Sequence, residues 1–273
     1  MLLLQDTHRQ TTAPVLQTFA TQKAIEALGH EAVCINYIRT DELPENQTKA
    51  LLSVSRWNKN TATRLLYSVT QKTKESTSGG IFIPLAKSTL EKGGVVFGCA
   101  YDENLVARHI AVEKEADLHK LQGSKYVQSD LSGIYSRVKS ELKDGRNVLF
   151  SGTGCQVAGL RSFLGKDFDN LITVDIVCHG VPSPKLFEKY IGYLGSKLGE
   201  PVKSYNFRSK KRHGWGLFYD VETDNIGKGG SGFDDPYYNA FLNCKTYREG
   251  CYNCRFANCD RQGDITLADF WGI

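Results

Sequence analysis

The chain has 273 residues, of which 41% are hydrophobic and 23% charged, an ordinary balance for one large globular domain or two small ones. The net charge of +4 is mild, and the one cationic run, residues 208–212, is more typical of a solvated loop than of a nucleic-acid surface. No segment has the length of a membrane span, and the apolar start is too short for a signal peptide. We therefore expect a cytoplasmic protein whose eight cysteines are reduced and act as ligands or core residues.

The first 73 residues predict only an incomplete unit. Apolar residues recur at every fourth position between 13 and 29, which predicts a helix that Gly29 ends. The apolar segment 32–37 predicts a strand, and the polar, irregular residues 38–74 are typical of a linker. One helix and one strand cannot bury a core, so we expect this segment to pack loosely.

From residue 74 onward, the pattern predicts an α/β fold with a largely parallel or mixed sheet flanked by helices. After residue 203 the pattern changes and predicts a β-rich, cysteine-containing extension that includes strands at YNFRS and GLFYDVET. Before that point, the predicted strands are 95–101, 147–152 and 171–178. One predicted helix follows Gly80, a second ends at Gly145, a third includes Leu164 and a fourth spans 182–198.

Four cysteines carry the densest chemical signal. Cys251 and Cys254 form a CxxC pair, which lets two thiolates reach one metal from a single tight loop. Cys155 lies in the turn after one predicted strand, and Cys178 ends the next strand. Because neighbouring parallel strands present their carboxyl ends at one edge of a sheet, we expect all four to converge there.

The spacing of these cysteines leaves three interpretations open. Lone cysteines at strand ends favour an iron–sulfur cluster, whereas structural zinc usually uses two close CxxC pairs. The third interpretation is that Cys155 and Cys178 are small buried core residues. Cys244 and Cys259 are rival ligands, and Cys34 and Cys99 are predicted core residues because they lie within apolar strands.

Glycine and hydroxyl residues cluster at three predicted edges of the sheet. Ser78-Gly79-Gly80 precedes a helix and Ser151-Gly152-Thr153 lies between a strand and a helix, positions that favour phosphate. Gly123-Ser124-Lys125-Tyr126 adds a cation and an aromatic ring. Together they indicate a flavin pyrophosphate site, although each alone is also typical of a turn or helix cap.

The histidines give weaker signals. His179, which follows Cys178, is able to donate a hydrogen bond to a cofactor ring or a cluster sulfur, or is simply a satisfied histidine at a strand end. His109 and His213 lie in polar sequence surroundings, and we predict no role for either.

Residues 74–273 resemble the beta-subunit family of coenzyme F420 hydrogenase/dehydrogenase, and especially the bacterial members found near polysaccharide-synthesis genes. The resemblance lies in seven segments that occur in the family's order and spacing: STSGGIF, GGVVFGCAYD, LQGSKYVQSD, VLFSGTGCQVAGLRSFL, LITVDIVCHGVPSPKLFEKY, CYNCRF and GDITLADFWGI.

This resemblance implies a flavin-binding domain, with FAD or FMN, that holds one [4Fe–4S] cluster. It implies an oxidoreductase subunit that moves electrons between a soluble hydride carrier such as coenzyme F420 and a redox partner protein or ferredoxin, with His179 as the catalytic residue. Whether the protein forms a homo-oligomer stays open. The implied cluster ligands are Cys155, Cys178, Cys251 and Cys254, and the implied flavin contacts are Ser78, Gly79, Gly80, Ser124, Lys125, Tyr126, Gln128, Ser151, Gly152 and Thr153.

The sequence departs from the family pattern in four ways. Gly154 replaces the usual proline before Cys155, which predicts a looser turn, and Ala268 replaces the usual glycine before Asp269. No ferredoxin module precedes the domain, and the sequence ends where the family usually continues, so we expect an incomplete domain. The segment TTAPVLQTFATQKAIEALGHEAVCINY instead resembles the opening of polysaccharide pyruvyl transferases. We therefore expect two parts in the chain, residues 1–73 and residues 74–273.

Two other functions remain open from the sequence. The first is a zinc-stabilised, non-catalytic protein that binds a partner enzyme of polysaccharide assembly. The second is a pyruvyl transferase fragment, which the absence of the remaining transferase fold makes the weakest alternative.

Overall fold

The computed structural model describes the backbone of residues 2–6 and 33–37 and, in full, residues 80, 82–214, 216–258 and 260–268. The helix predicted over 13–29 and the predicted linker lie outside this range. The strands are β1 Leu2–Asp6, β2 Val33–Tyr37, β3 Val95–Tyr101, β4 Ala107–Val112, β5 Val148–Thr153, β6 Leu171–Ile176, β7 Ser204–Phe207, β8 Phe218–Glu222, β9 Gly227–Ser231 and β10 Ile265–Leu267. The helices are α1 Phe82–Glu91, α2 Ile134–Lys143, α3 Gly154–Leu164, α4 Pro184–Leu198, α5 Pro236–Leu242 and α6 Glu249–Tyr252, and a 3₁₀ helix spans Glu115–Leu121.

The central sheet has five strands in the order β10-β6-β5-β3-β4. All its neighbouring strands are parallel except β3 and β4, so the predicted mixed α/β sheet is confirmed. Thr153 at the end of β5 pairs with Ile176 at the end of β6. The turns that follow these two strands therefore leave the sheet side by side.

Helices cover both faces of this sheet. On one face, Phe97 and Phe150 are fully buried against α2 and α3. On the other, Val96, Leu149 and Val174 pack with α1 and the 3₁₀ helix. This burial of alternate strand residues on opposite faces is the expected consequence of the strand period of two.

A second sheet, β7-β8-β9, is antiparallel and forms the predicted β-rich extension. Its core is aromatic, because Tyr205 and Phe207 pack against Phe187 of α4 and Tyr238 of α5. The strands β1 and β2 form a separate parallel pair, which confirms the strand predicted at 32–37.

Two features differ from the sequence prediction. The apolar sequence of β6 is typical of a buried strand, yet Ile172 and Ile176 are 43% and 45% exposed. The unpredicted elements are the strands β1, β4, β9 and β10, the helices α5 and α6, and the 3₁₀ helix. Within the described residues, no helix combines the length and apolar character that a membrane crossing requires.

A buried carboxylate attaches the C-terminal segment to the sheet. Asp175 of β6 is fully buried, accepts a 2.6 Å hydrogen bond from Thr266 and forms a 2.6 Å ion pair with Arg261. A weaker bond from the Gln262 amide adds to this anchor. A buried charge of this kind is stable only while its partners stay in place.

Replacing Asp175 by Asn should therefore lower the free energy of unfolding by about 3 kcal/mol, because it leaves the largely buried Arg261 without an anion. Chemical denaturation measures this change. The matched control is Asp224→Asn, which removes an exposed ion pair with Lys203 and should cost less than about 0.5 kcal/mol. Equal effects of the two variants would contradict the assigned role.

Candidate functional site: a cysteine-bearing edge of the sheet

Cys155 lies in the first turn of α3, directly after β5. Thr153 is the N-cap of this helix and forms a capping box with Gln156, whose side-chain oxygen accepts a 2.9 Å hydrogen bond from the Thr153 amide. The Thr153 hydroxyl lies 3.2 Å from the Cys155 sulfur. The turn that Gly154 was expected to loosen is thus fixed by side-chain hydrogen bonds.

Cys178 lies two residues beyond β6, in a turn that Gly180 makes possible. The Gly180 backbone has φ of +132°, and its amide donates a 3.4 Å hydrogen bond to the Cys178 sulfur. A Cβ at this position would lie 2.4 Å from the ring of Tyr247. Glycine is therefore required both for the backbone conformation and for the packing of that ring.

The segment that carries the CxxC pair returns over the same edge. The Arg248 amide donates a 3.0 Å hydrogen bond to the carbonyl of Val181, and Tyr247 pairs with Pro182. These bonds bring α6, and with it Cys251, next to the turn after β6.

The other end of the CxxC segment lies beside the turn after β5. A Cβ built on Gly154 would lie 3.4 Å from the Cβ of Phe256, so Phe256 packs directly over the residue that precedes Cys155. Phe256 lies two positions after Cys254. The segment therefore spans from one strand end to the other.

Three of the predicted ligands act electrostatically on the fourth, Cys178. Burial, with smaller contributions from Cys155, Cys251 and Cys254, raises the pKa of the Cys178 thiol to about 11. Such effects indicate that the other three cysteines lie near Cys178. Within the described part of the chain, however, no three His, Cys, Asp or Glu side chains are close enough together to hold a metal ion. The described cysteines are free thiols, and Cys259 lies outside the described residues.

The loop that contains Lys125 approaches the same edge. The Gln128 amide bonds to the carbonyl of Pro182 at 3.1 Å, and its side chain accepts from Arg248. Ser124 pairs with Phe207 of the second sheet. The loop therefore bridges the two sheets beside the Cys178 turn.

Lys125 is oriented towards its own loop. Its ammonium group donates to the carbonyls of Gln122 and Gly123 at 2.7 and 3.1 Å and lies 5.9 Å from the centre of the Tyr101 ring. Burial lowers the pKa of Lys125. Tyr126 stacks on Phe241 at 4.3 Å and belongs to the aromatic core.

The glycine clusters have different surroundings. Gly80 has φ of +74° and precedes α1, whereas Ser78 and Gly79 lie outside the described residues. Ser151 is buried on β5, and a Cβ on Gly152 would lie 3.0 Å from the side-chain oxygen of Gln156. Of the predicted flavin contacts, those in the Lys125 loop and at the end of β5 thus lie at the cysteine edge.

His179 is fixed by aromatic side chains. Its Nδ1 atom is hydrogen-bonded to the hydroxyl of Tyr247, and its ring lies 4.8 Å from that of Phe241. Burial lowers the pKa of His179, which favours the neutral imidazole. Burial also raises the pKa of Tyr247, with further contributions from Cys244 and Cys178.

His109 was predicted to have polar surroundings, and this prediction is wrong. It is 5% exposed on β4, and its ring stacks on Phe150 at 5.5 Å. Its ring nitrogens are 3.0 Å from the Ser151 carbonyl and 3.0 Å from the Ser129 hydroxyl. Burial lowers the pKa of His109 to about 4.

Replacing Gly180 by Ala should lower the free energy of unfolding by at least about 2 kcal/mol, because the new methyl group overlaps the Tyr247 ring and the backbone is strained. Denaturant titration measures the loss. The control is Gly192→Ala in α4, where nothing lies within 4 Å and the better helix propensity should stabilise by about 0.5–1 kcal/mol. A Gly180→Ala variant as stable as the wild type would refute this packing.

The buried His109 should make stability fall in mild acid. Below its ordinary pKa of about 6.5, the unfolded chain binds a proton that the folded chain refuses until about pH 4, so stability is lost as the pH falls through this window. The expected loss is about 2 kcal/mol between pH 7 and pH 5. Denaturation of wild type and His109→Gln at both pH values measures it, and an identical pH slope in the two proteins would contradict the assignment.

The fold and the cysteine edge define an α/β protein with a potential thiolate centre. Residues 145–272, which contain all four predicted ligands, match the family model for the C terminus of the beta subunit of coenzyme F420 hydrogenase/dehydrogenase. This part of the chain is therefore similar to the C-terminal domain of the predicted family. The resemblance over residues 74–144, the polysaccharide-associated type and the transferase-like start stay predictions.

No curated protein matches the chain. Among solved structures, a chain of a xenon-derivatised F420-reducing [NiFe] hydrogenase complex from Methanosarcina barkeri is 20% identical, with a TM-score of 0.43. The match covers 66% of this chain and 60% of that one. A similarity this low carries no functional argument.

Proposed function

We propose that this chain is an electron-transfer oxidoreductase subunit that binds a flavin, FAD or FMN, and one [4Fe–4S] cluster. The observation that supports the proposal is the return of the segment with Cys251 and Cys254 over the ends of β5 and β6, where Cys155 and Cys178 lie. The match of residues 145–272 to the beta-subunit family supports it. The proposed domain is 74–273, with 1–73 as a separate segment.

The donor set suits such a cluster. Four thiolates are the usual ligands of a [4Fe–4S] cluster. Two sulfurs already have polar neighbours, the Thr153 hydroxyl at Cys155 and the Gly180 amide at Cys178, and hydrogen bonds to sulfur tune the reduction potential of iron–sulfur centres. The partial burial of Cys178 limits the access of water.

The proposed flavin groove lies beside these thiols. Ser124, Lys125, Tyr126, Gln128, Ser151, Gly152 and Thr153 come from the loop and strand end that meet the Cys178 turn, and Ser78, Gly79 and Gly80 are proposed to complete the groove from the start of α1. Lys125 supplies the one cation among them, suited to a pyrophosphate once it leaves its loop carbonyls.

The chain's own residues position and insulate the site. When bound, the flavin supplies exchange between two-electron and one-electron chemistry. His179, held neutral between Tyr247 and Phe241, offers a proton-exchanging ring next to Cys178. The aromatic core behind it excludes water from that side.

The proposed partners are a soluble hydride carrier, such as coenzyme F420, and a redox partner protein or ferredoxin. The cytoplasm is the proposed location because the thiols remain reduced there. Anaerobic purification followed by analysis of iron, sulfide and flavin tests the cofactor content directly. A colourless protein that holds zinc would instead support the non-catalytic alternative.

We expect four single variants to lose or alter the cluster, because a hydroxyl is a poor ligand for this soft site. They are Cys155→Ser, Cys178→Ser, Cys251→Ser and Cys254→Ser. Iron and sulfide per chain and the absorbance of the anaerobically purified protein measure the effect. Flavin content should persist, since its proposed contacts lie in other segments.

The control is Cys99→Ser, because Cys99 lies on β3 and is not a proposed ligand. It should retain the wild-type iron and sulfide. The Cys244→Ser variant tests the rival ligand. Normal cluster content in this variant would exclude Cys244 as a ligand. Loss of iron in Cys244→Ser but not in Cys254→Ser would show that Cys244, and not Cys254, is the ligand.

A further inference from the structure

A chain of hydrogen bonds connects the buried His109 to the turn that carries Cys155. Its Nε2 atom lies 3.0 Å from the carbonyl oxygen of Ser151, and its Nδ1 atom lies 3.0 Å from the hydroxyl of Ser129. The Gln156 side chain donates a 2.8 Å bond to the same hydroxyl and accepts a 2.9 Å bond from the Thr153 amide. Three separate segments are joined by these four bonds.

The chemistry of the partners fixes the direction of every bond in this chain. A carbonyl oxygen only accepts, so the hydrogen of the neutral imidazole is on Nε2 and Nδ1 is an acceptor. The Ser129 hydroxyl must then donate to His109, and its oxygen is left to accept from Gln156. This leaves the Gln156 oxygen for the Thr153 amide, which is the bond observed.

An independent feature supports this arrangement. A Cβ on Gly152 would lie 3.0 Å from the side-chain oxygen and 3.1 Å from the Cβ of Gln156. Glycine at this position therefore leaves the space in which Gln156 folds back over the strand end. The His109 ring is itself immobilised by its stacking on Phe150.

We propose that His109 is a positioning residue that acts through Ser129 and Gln156 to hold the Thr153–Gln156 turn in the form that presents the Cys155 thiol. The His109 ring does not contact Cys155 in this chain of bonds. Its effect is to orient the amide of Gln156, because a rotated amide would turn its NH₂ group towards the Thr153 N–H and lose both bonds. The role of Cys155 as a cluster ligand rests on the proposed function, whereas the positioning of the turn does not.

The variants separate hydrogen bonding from packing. His109→Phe keeps an aromatic ring against Phe150 but neither donates nor accepts. His109→Gln offers one donor and one acceptor and should preserve the chain. Ser129→Ala removes the middle link, and Val221→Ala in β8 is a core control outside the chain of bonds.

Hydrogen–deuterium exchange of the cluster-free protein tests the proposal at the turn itself. The peptide that contains residues 153–156 should exchange about fivefold faster in His109→Phe and Ser129→Ala, since one stabilising bond is lost, and at nearly the wild-type rate in His109→Gln and Val221→Ala. Unchanged exchange in both disruptive variants would overturn the proposal. Equal acceleration in His109→Gln or in the core control would also overturn it, because the hydrogen bonds would then not be the cause.

Reconstitution with iron and sulfide extends the test to the cluster. We expect a lower cluster content or a shifted midpoint potential in His109→Phe and Ser129→Ala, with recovery in His109→Gln. If the wild type binds no iron and sulfide, the proposed function fails while the exchange result still decides whether His109 positions the turn. If the disruptive variants show faster exchange but keep the wild-type cluster content and midpoint potential, His109 does not position Cys155 as a cluster ligand.

Discussion

The arrangement of the site depends on the burial of one carboxylate, Asp175. Its partners Arg261 and Thr266 lie beyond the CxxC pair, so satisfying this charge pulls the C-terminal segment back across the ends of β5 and β6. The alternative, an unpaired buried carboxylate, is far more costly than ordering a loop. The segment is therefore held at both ends, by Arg248 at the Val181 carbonyl and by Arg261 at Asp175.

This arrangement places one of the proposed ligand thiols, Cys178, in a partly buried position. Cys178 is desolvated and lies near three other cysteines, which opposes formation of its thiolate. A bound cationic centre reverses that balance, because it stabilises the thiolates that otherwise repel one another. On the proposed function, a bound centre would also stabilise the C-terminal segment, because Cys251 and Cys254 lie between its two anchors.

Sequence periodicity predicted α1, β3 and the elements from α2 to α4 because each carries its own apolar pattern, but it missed β4 and the 3₁₀ helix between β3 and α2. It missed β9, which reads GKGGS, and the three-residue β10, because both are strands through tertiary pairing. The placement of Cys155 and Cys178 after neighbouring strand ends followed from the topology of parallel strands. The surroundings of His109 could not be predicted, because its burial depends on Ser129 and Phe150, which are distant in sequence.

The extent of the family-model match has a structural consequence. Residues 145–272 contain the four predicted ligands, but the sheet they form is incomplete without β3, which lies between β5 and β4. Removing β3 and β4 would expose the buried face of Phe150 and leave the β5 edge unpaired. It would also remove His109, which bonds to Ser151 from outside the matched region. Gln128, in the loop after the 3₁₀ helix, likewise lies outside that region and accepts a bond from Arg248. The chemical signal is thus concentrated in the C-terminal half, whereas the scaffold that positions it begins at least as early as β3.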